Sequence, residues 1–302
     1  MMRYMERCES MARLTEAGFY IALTRSKSAE DEWKSIISAA GVEHNYEALN
    51  KNYDGPSVIN FLLRDRENPS SVISMIDLAR SNARTARTAL TREVWEAVNE
   101  AWLIICKTLR TPVVPKSLPE ILAMIKRQSA LVQGALQGTM LRNDIFDFAR
   151  LGMFIERADN TARILDVKYH VLLPSVSLVG GSLDNVQWET ILRAVSANRS
   201  YRWVNKGPAC PKGIANFLIL DRSMPRSLAF CQWEITHNLG HLSNAYGTHP
   251  QSHDLAAENL ASLQSQTIES VMAEGLHEFI SSYLIANQAL AGQIETDYRF
   301  YA

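Results

Sequence analysis

Apolar and small residues at positions 1, 4, 5, 8, 11, 12, 15, 19 and 22 recur with the period of an α-helix and predict one over residues 1–26. A similar pattern runs from about 143 to 173 and stops at Pro174. Asn68 followed by Pro69 and Ser70 predicts a helix over 69–90, because proline's fixed φ and missing N–H suit a first helical position. Met224–Pro225 marks a second start of that kind. Further helices are predicted at 30–40, 91–109, 117–139, 183–197, 226–246 and 254–297. Alternating β-branched runs are scarce, and TPVVP (111–115) reads as a linker between prolines. The predicted fold class is all-α.

The pattern repeats itself. YMERCESMARL (4–14) returns as FIERADNTARI (154–164), with Glu6, Arg7, Ala12 and Arg13 matched by Glu156, Arg157, Ala162 and Arg163. EWKSII (32–37) pairs with QWETIL (187–192), which puts Trp33 on Trp188. Tyr46, Asn50 and Lys51 then fall on Tyr201, Asn205 and Lys206. NFLLRDRENPSSV (60–72) pairs with NFLILDRSMPRSL (216–228), with seven of 13 positions identical. Four blocks in one order predict a helical bundle formed by two divergent internal repeats, about 1–141 and 142–302, within a single domain. The longer spacing in the second copy is assigned to a loop at Pro174–Asn185, where Gly180 and Gly181 lie. Arg142–Arg150 leads into the second copy, whereas only Met1–Arg3 precedes the first. Either the first copy lost its lead-in or the natural chain starts upstream of Met1.

Composition narrows the setting. The 302 residues carry 31 basic and 32 acidic side chains, so no basic excess exists to neutralise a nucleic acid. No apolar run approaches the roughly 20 residues of a membrane span. Cys8, Cys106, Cys210 and Cys231 lie far apart without metal spacing, as expected of a cytoplasmic protein.

Two groups of residues could carry chemistry. Glu6, Glu9 and Arg13 fall within about 60° on one helix face, opposite the apolar stripe, and Glu156, Asp159 and Arg163 repeat the arrangement. Paired carboxylates above an arginine suit a cationic amine, a metal or a partner's substrate, whereas the i,i+4 ion pairs Glu9–Arg13 and Asp159–Arg163 would be structural alone; charge types kept through a duplication favour a buried network or an interface over free surface. Arg80, Arg84 and Arg87 form a row at near-helical spacing, with Arg64 and Arg66 upstream; the row suits phosphate or carboxylate, or is a solvated face. Asp65–Arg66 and Asp221–Arg222 read as loop-fixing pairs. His237/His241 and His249/His253 are i,i+4 pairs, but Pro250 separates the latter, and Glu274-x-x-His277 has no second copy to complete a di-metal bundle. Neither a metal nor a cofactor is expected. No nucleotide-binding or nucleophile motif is present.

The doubled ERxExxAR pattern, the TMLRND segment (139–144), the NPSS and ARSNAR stretches and the terminal LHEFI together resemble the bacterial Alpha-E family along essentially the whole chain. That resemblance implies a helical protein found beside, or fused to, circularly permuted ATP-grasp ligases and transglutaminase-like proteins, in a pathway that forms or modifies amide bonds. The leading expectation is a non-catalytic partner or substrate-docking module of those proteins, its docking surface marked by the twin faces Glu6, Glu9, Arg13 and Glu156, Asp159, Arg163, with Arg80 and Arg84 as further candidate binding residues. The alternative is an enzyme of the same pathway that uses the paired carboxylates on an amine or amide. A third reading makes the arginine row an anion or nucleotide sensor.

Overall fold

The computed structural model describes residues 1–24, 29–49, 52–172, 182–205 and 209–300. It is 79% helix with no strand among the described residues. None of these helices is long and apolar enough to cross a membrane. The chain divides into two compact units, Met1–Phe146 and Asp147–Ala302.

The first unit contains α1 (Met2–Thr24), α2 (Ala29–Ala39), α3 (Glu43–Glu47), α4 (Gly55–Arg64), α5 (Val72–Thr85), α6 (Arg92–Thr108) and α7 (Leu118–Thr139). Helices α1, α5, α6 and α7 contact one another in a closed cycle, the arrangement of a four-helix bundle, while α2 and α4 pack on α1. Met5, Cys8, Ala12, Ile76, Ala79, Val98, Ile105, Ile125 and Val132 fill its centre with almost no exposed surface. Tyr46 is also fully buried, edge-on to Phe61 with ring centroids 4.8 Å apart.

The second unit is built from α8 (Asp144–Leu172), whose first turn holds the division, followed by α9 (Ser182–Ala194), α10 (Asn198–Val204), α11 (Pro211–Ile219), α12 (Leu228–Tyr246), α13 (Gln251–Ser265), α14 (Ile268–Glu274) and α15 (Leu276–Asp297). Helix α12 packs on α13, and α13 on α15. Side-chain bonds tie α8 to both remaining neighbours: Arg150 to Glu234 on α12, and Asn287 on α15 to the Ile155 carbonyl. Tyr201 is buried edge-on to Phe217, centroids 5.5 Å apart.

Short-range chemistry sets the helix ends. Ser71 and Ser227 are fully buried N-caps whose hydroxyls accept from the Ser74 and Phe230 amides, each satisfying a donor that helical bonding leaves open. Pro69 therefore lies in the turn before the helix rather than inside its first turn, and the helix predicted at 69–90 is α5, ending at Thr85. That turn is fixed by Asn68, which accepts from the Ser70 amide and donates to the Phe61 carbonyl. Asp65 and Asp221 accept from the amides of Glu67 and Ser223, the loop-fixing role expected of them. Cys210 caps α11 through its sulfur, which accepts from the Gly213 amide.

One predicted helix is divided and another is shortened. Instead of one helix over 254–297 there are three, because Thr267 and Ser270 form a reciprocal capping box and Gly275 takes φ 110°. The run 183–197 ends at Ala194, where Ser196 turns into the left-handed region at φ 57° and Ala197 donates back to the Leu192 carbonyl. Gly41 makes the corresponding turn after α2 at φ 69°. The short helices α3, α4, α10 and α11 lie in segments given no helix from periodicity, since five to ten residues hold too few turns to show one. Of the expected loop at Pro174–Asn185, residues 174–181 lie outside the described residues, and Ser182 already opens α9. Asn50, Lys51 and Lys206 also lie outside them.

A side chain in the left-handed region costs about 1 kcal/mol relative to glycine. Ser196→Gly is therefore expected to raise stability by about that amount, and Gly275→Ala to lower it by about 1–2 kcal/mol. Urea denaturation of the two variants checks both signs.

Candidate functional site

The face of α1 that carries Glu6, Glu9 and Arg13 is covered by α7. Relative exposures are 0% for Glu6, 3% for Glu9 and 7% for Arg13, so the three form an interior ion-pair network although they lie opposite the apolar stripe of their own helix. The reason is that α1 has neighbours on several sides at once, α5 and α7 together with α2 and α4. A helix so enclosed must bury its polar side as well.

The polar groups are matched by α7. Arg13 donates from Nε and Nη2 to Glu9 Oε1 at 2.9 and 2.6 Å. Gln133 Nε2 reaches both carboxylates, 3.0 Å from Glu6 Oε2 and 3.2 Å from Glu9 Oε2, and also lies 3.3 Å from the buried Ser129 hydroxyl. Two turns further along α1, Glu16 takes Lys126 Nζ at 2.9 and 2.7 Å. Glu9 meets Gln133 and Glu16 meets Lys126, so the two helices run antiparallel and share a polar seam.

In the second unit Glu156 and Arg157 are buried at 4% and 8% exposure. Arg163 pairs with Asp159 at 2.7 Å, but these side chains remain 35% and 30% exposed. The guanidinium groups of Arg150 and Arg157 lie 5.0 and 5.3 Å from the Phe154 ring. Helix α15 runs antiparallel to α8, joined by Asn287 to the Ile155 carbonyl at 3.1 Å and by His277 Nδ1 to Asp166 Oδ1 at 2.6 Å. Between those rungs sits Tyr283, whose phenol is pushed well above its ordinary pKa by burial and then by Cys231 and Asp159.

The arginines of the row make separate contacts. Arg80 lies over the Trp102 ring at 4.0 Å and donates from Nε to Asn99 at 2.8 Å. Arg87 lies 5.3 Å from the Trp95 ring, and Arg84 between them is exposed. These contacts also make α5 and α6 antiparallel. Upstream, Arg66 pairs with Asp77, which accepts the Trp102 indole N–H as well. Arg64 is spent on the end of α6, donating to the Leu109 and Arg110 carbonyls. Burial and the neighbouring Asp77 push the Cys106 thiol up to about 11.

The histidines differ from expectation in one respect. His249 and His253 come within 4.8 Å of each other despite Pro250, because α13 begins immediately after the proline. His253 is buried, bonded to the Tyr298 hydroxyl at 2.9 Å, and its pKa is lowered by burial and then by His249.

Several participants were missed in the sequence: Gln133, Glu16 with Lys126, Asp166 with His277, and the tryptophans beneath the arginines. A signal for the first existed. Lys126 and Gln133 stand seven residues apart, two helical turns, beside the buried apolar stripe Leu122, Ile125, Val132 and Leu136.

A family model described as a predicted alpha-helical domain with a conserved ER motif matches residues 1–298. The chain's two ER pairs are Glu6–Arg7 and Glu156–Arg157. No curated protein and no solved structure matches the chain.

Removing one member of a buried ion pair costs about 3 kcal/mol or more, whereas a pair near the surface contributes about 1 kcal/mol or less. Arg13→Met is therefore expected to destabilise far more than Arg163→Met, as read from melting curves. The lowered pKa of His253 carries its own prediction. Its contribution to stability is complete above the ordinary imidazole value of about 6.5 and declines as the pH falls below it toward the depressed folded value, since the unfolded chain binds the proton more readily. His253→Gln is expected to flatten that part of the stability–pH curve.

Proposed function

The chain belongs to the Alpha-E family, and from that premise we propose that it is a non-catalytic helical docking module. Its partners in this reading are a circularly permuted ATP-grasp ligase and a transglutaminase-like protein, acting in the cytoplasm on a pathway that forms or modifies amide bonds. The burial of Glu6 and Glu9 supports it: carboxylates with 0% and 3% exposure, already bonded by Gln133 and Arg13, are built to hold α1 against α7. The enzyme reading needs these carboxylates to reach an amine or amide, and their burial weighs against it.

The docking surface in this proposal is the α5–α6 face of the first unit. Its carrying observation is the stacking of Arg80 on Trp102 at 4.0 Å. A guanidinium held against an aromatic face keeps its remaining N–H donors ordered, which lowers the entropy lost when they meet carboxylates. With Arg84 and Arg87 beside it, the face fits an acidic surface on the ligase.

We read the two units as divergent copies of one helical unit. The closed cycle α1, α5, α6 and α7 has its counterpart in α8, α12, α13 and α15. Support also comes from three matched details. Tyr46 on Phe61 corresponds to Tyr201 on Phe217, the Ser71 cap to the Ser227 cap, and the Glu16–Lys126 rung to the Asp166–His277 rung.

The test is co-purification from the native host followed by binding of the purified proteins. A complex with the ligase is expected that weakens with salt and loses at least about tenfold in affinity in Arg80→Glu/Arg84→Glu, in keeping with charged contacts at an interface. Failure to recover either partner, even after cross-linking, would overturn the proposal.

A further inference from the structure

Helix α12 turns one face to solvent, along which Trp233, His237, His241 and Asn244 follow one another at helical spacing. With Thr236, Gly240 and Leu260 they line a groove of about 490 Å³. Gly240 contributes no side chain there, and a Cβ built on it meets nothing within 4 Å, so the space beside the histidines is open.

We propose that this groove is a transition-metal site in which His237 and His241 are the two protein ligands. Their ring centroids are 4.3 Å apart, close enough for one nitrogen of each to share an ion through a small ring rotation. His241 is oriented from behind: its Nδ1 lies 3.4 Å from Oδ1 of Asp147, whose side chain is nearly buried. With Nδ1–H directed at the carboxylate, the lone pair falls on Nε2, as in carboxylate–histidine–metal arrangements. His237 is oriented by Trp233, whose ring stacks on it at 5.0 Å with planes 10° apart. Among the described residues no cluster of three or more His, Cys, Asp or Glu side chains suits a metal, so the site offers two nitrogens and leaves the other positions to water or to the donors of a chelating molecule in the groove. Two imidazoles with open positions fit Cu²⁺ best, then Ni²⁺ and Zn²⁺, and not Mg²⁺ or Ca²⁺, which demand oxygen.

The stacked Trp233 supplies the readout. EDTA-treated full-length chain is titrated with Cu²⁺ alone, following tryptophan emission, and with Zn²⁺ by calorimetry. Saturable one-to-one quenching that EDTA reverses is expected, and Trp233→Phe should lose most of the quenching while keeping Zn²⁺ affinity within a few-fold. His237→Ala and His241→Ala should each weaken binding at least tenfold, and Asp147→Asn about tenfold. Both histidines are exposed, so unchanged melting curves are expected to separate lost binding from lost folding. Equal affinity in His237→Ala/His241→Ala, or loss of binding in His249→Ala instead, would overturn the site.

Discussion

Charge buried on a helix has to be met by another helix, and in the first unit this demand fixes how α1 and α7 lie together. Glu6 and Glu9 have lost their water, and an ionised carboxylate without partners in such a place costs several kcal/mol. Gln133 and Arg13 meet that demand only in one register, with the Glu16–Lys126 rung two turns away. Apolar contacts between α1 and α7 alone would tolerate a slip by one turn at modest cost, whereas the polar seam would not.

The second unit meets the same demand with different chemistry. There His277 bonds Asp166, and Asn287 bonds the Ile155 backbone carbonyl. Arg150 and Arg157 approach the Phe154 ring, so positive charge there is balanced in part by an aromatic surface. Asp159 and Arg163 stay a third exposed, and solvent shares the cost of their charge. One sequence pattern thus sits in two electrostatic environments. A substitution at matched positions has no reason to give matched effects.

The helical class was plain from periodicity, as were the termini of α1, α6 and α7, because long amphipathic runs announce themselves over many turns. The division of 254–297 was not, since the capping box at Thr267–Ser270 and the conformation of Gly275 act over three or four residues and leave the apolar pattern unbroken. The candidate residues Glu6, Glu9 and Arg13 were legible as an ion-pair group, but the helix that encloses them was not. Helical angles locate a face relative to its own stripe and say nothing of a neighbour 124 residues away that carries the complementary group. Lys126 and Gln133 became meaningful only once α7 lay against α1.

The cap on α11 has a consequence of its own. Cys8 and Cys231 are enclosed in the interior and Cys106 is half-buried, but Cys210 is exposed while its sulfur accepts the Gly213 amide. A helix start is thereby entrusted to an atom that oxidants and alkylating reagents can reach. Glutathionylation or alkylation of that thiol would place a bulky group where α11 needs an acceptor, beside a Gly213 at which even an added Cβ would meet the Tyr201 hydroxyl. Such a modification would remove the sulfur acceptor from the start of α11, leaving that amide to water.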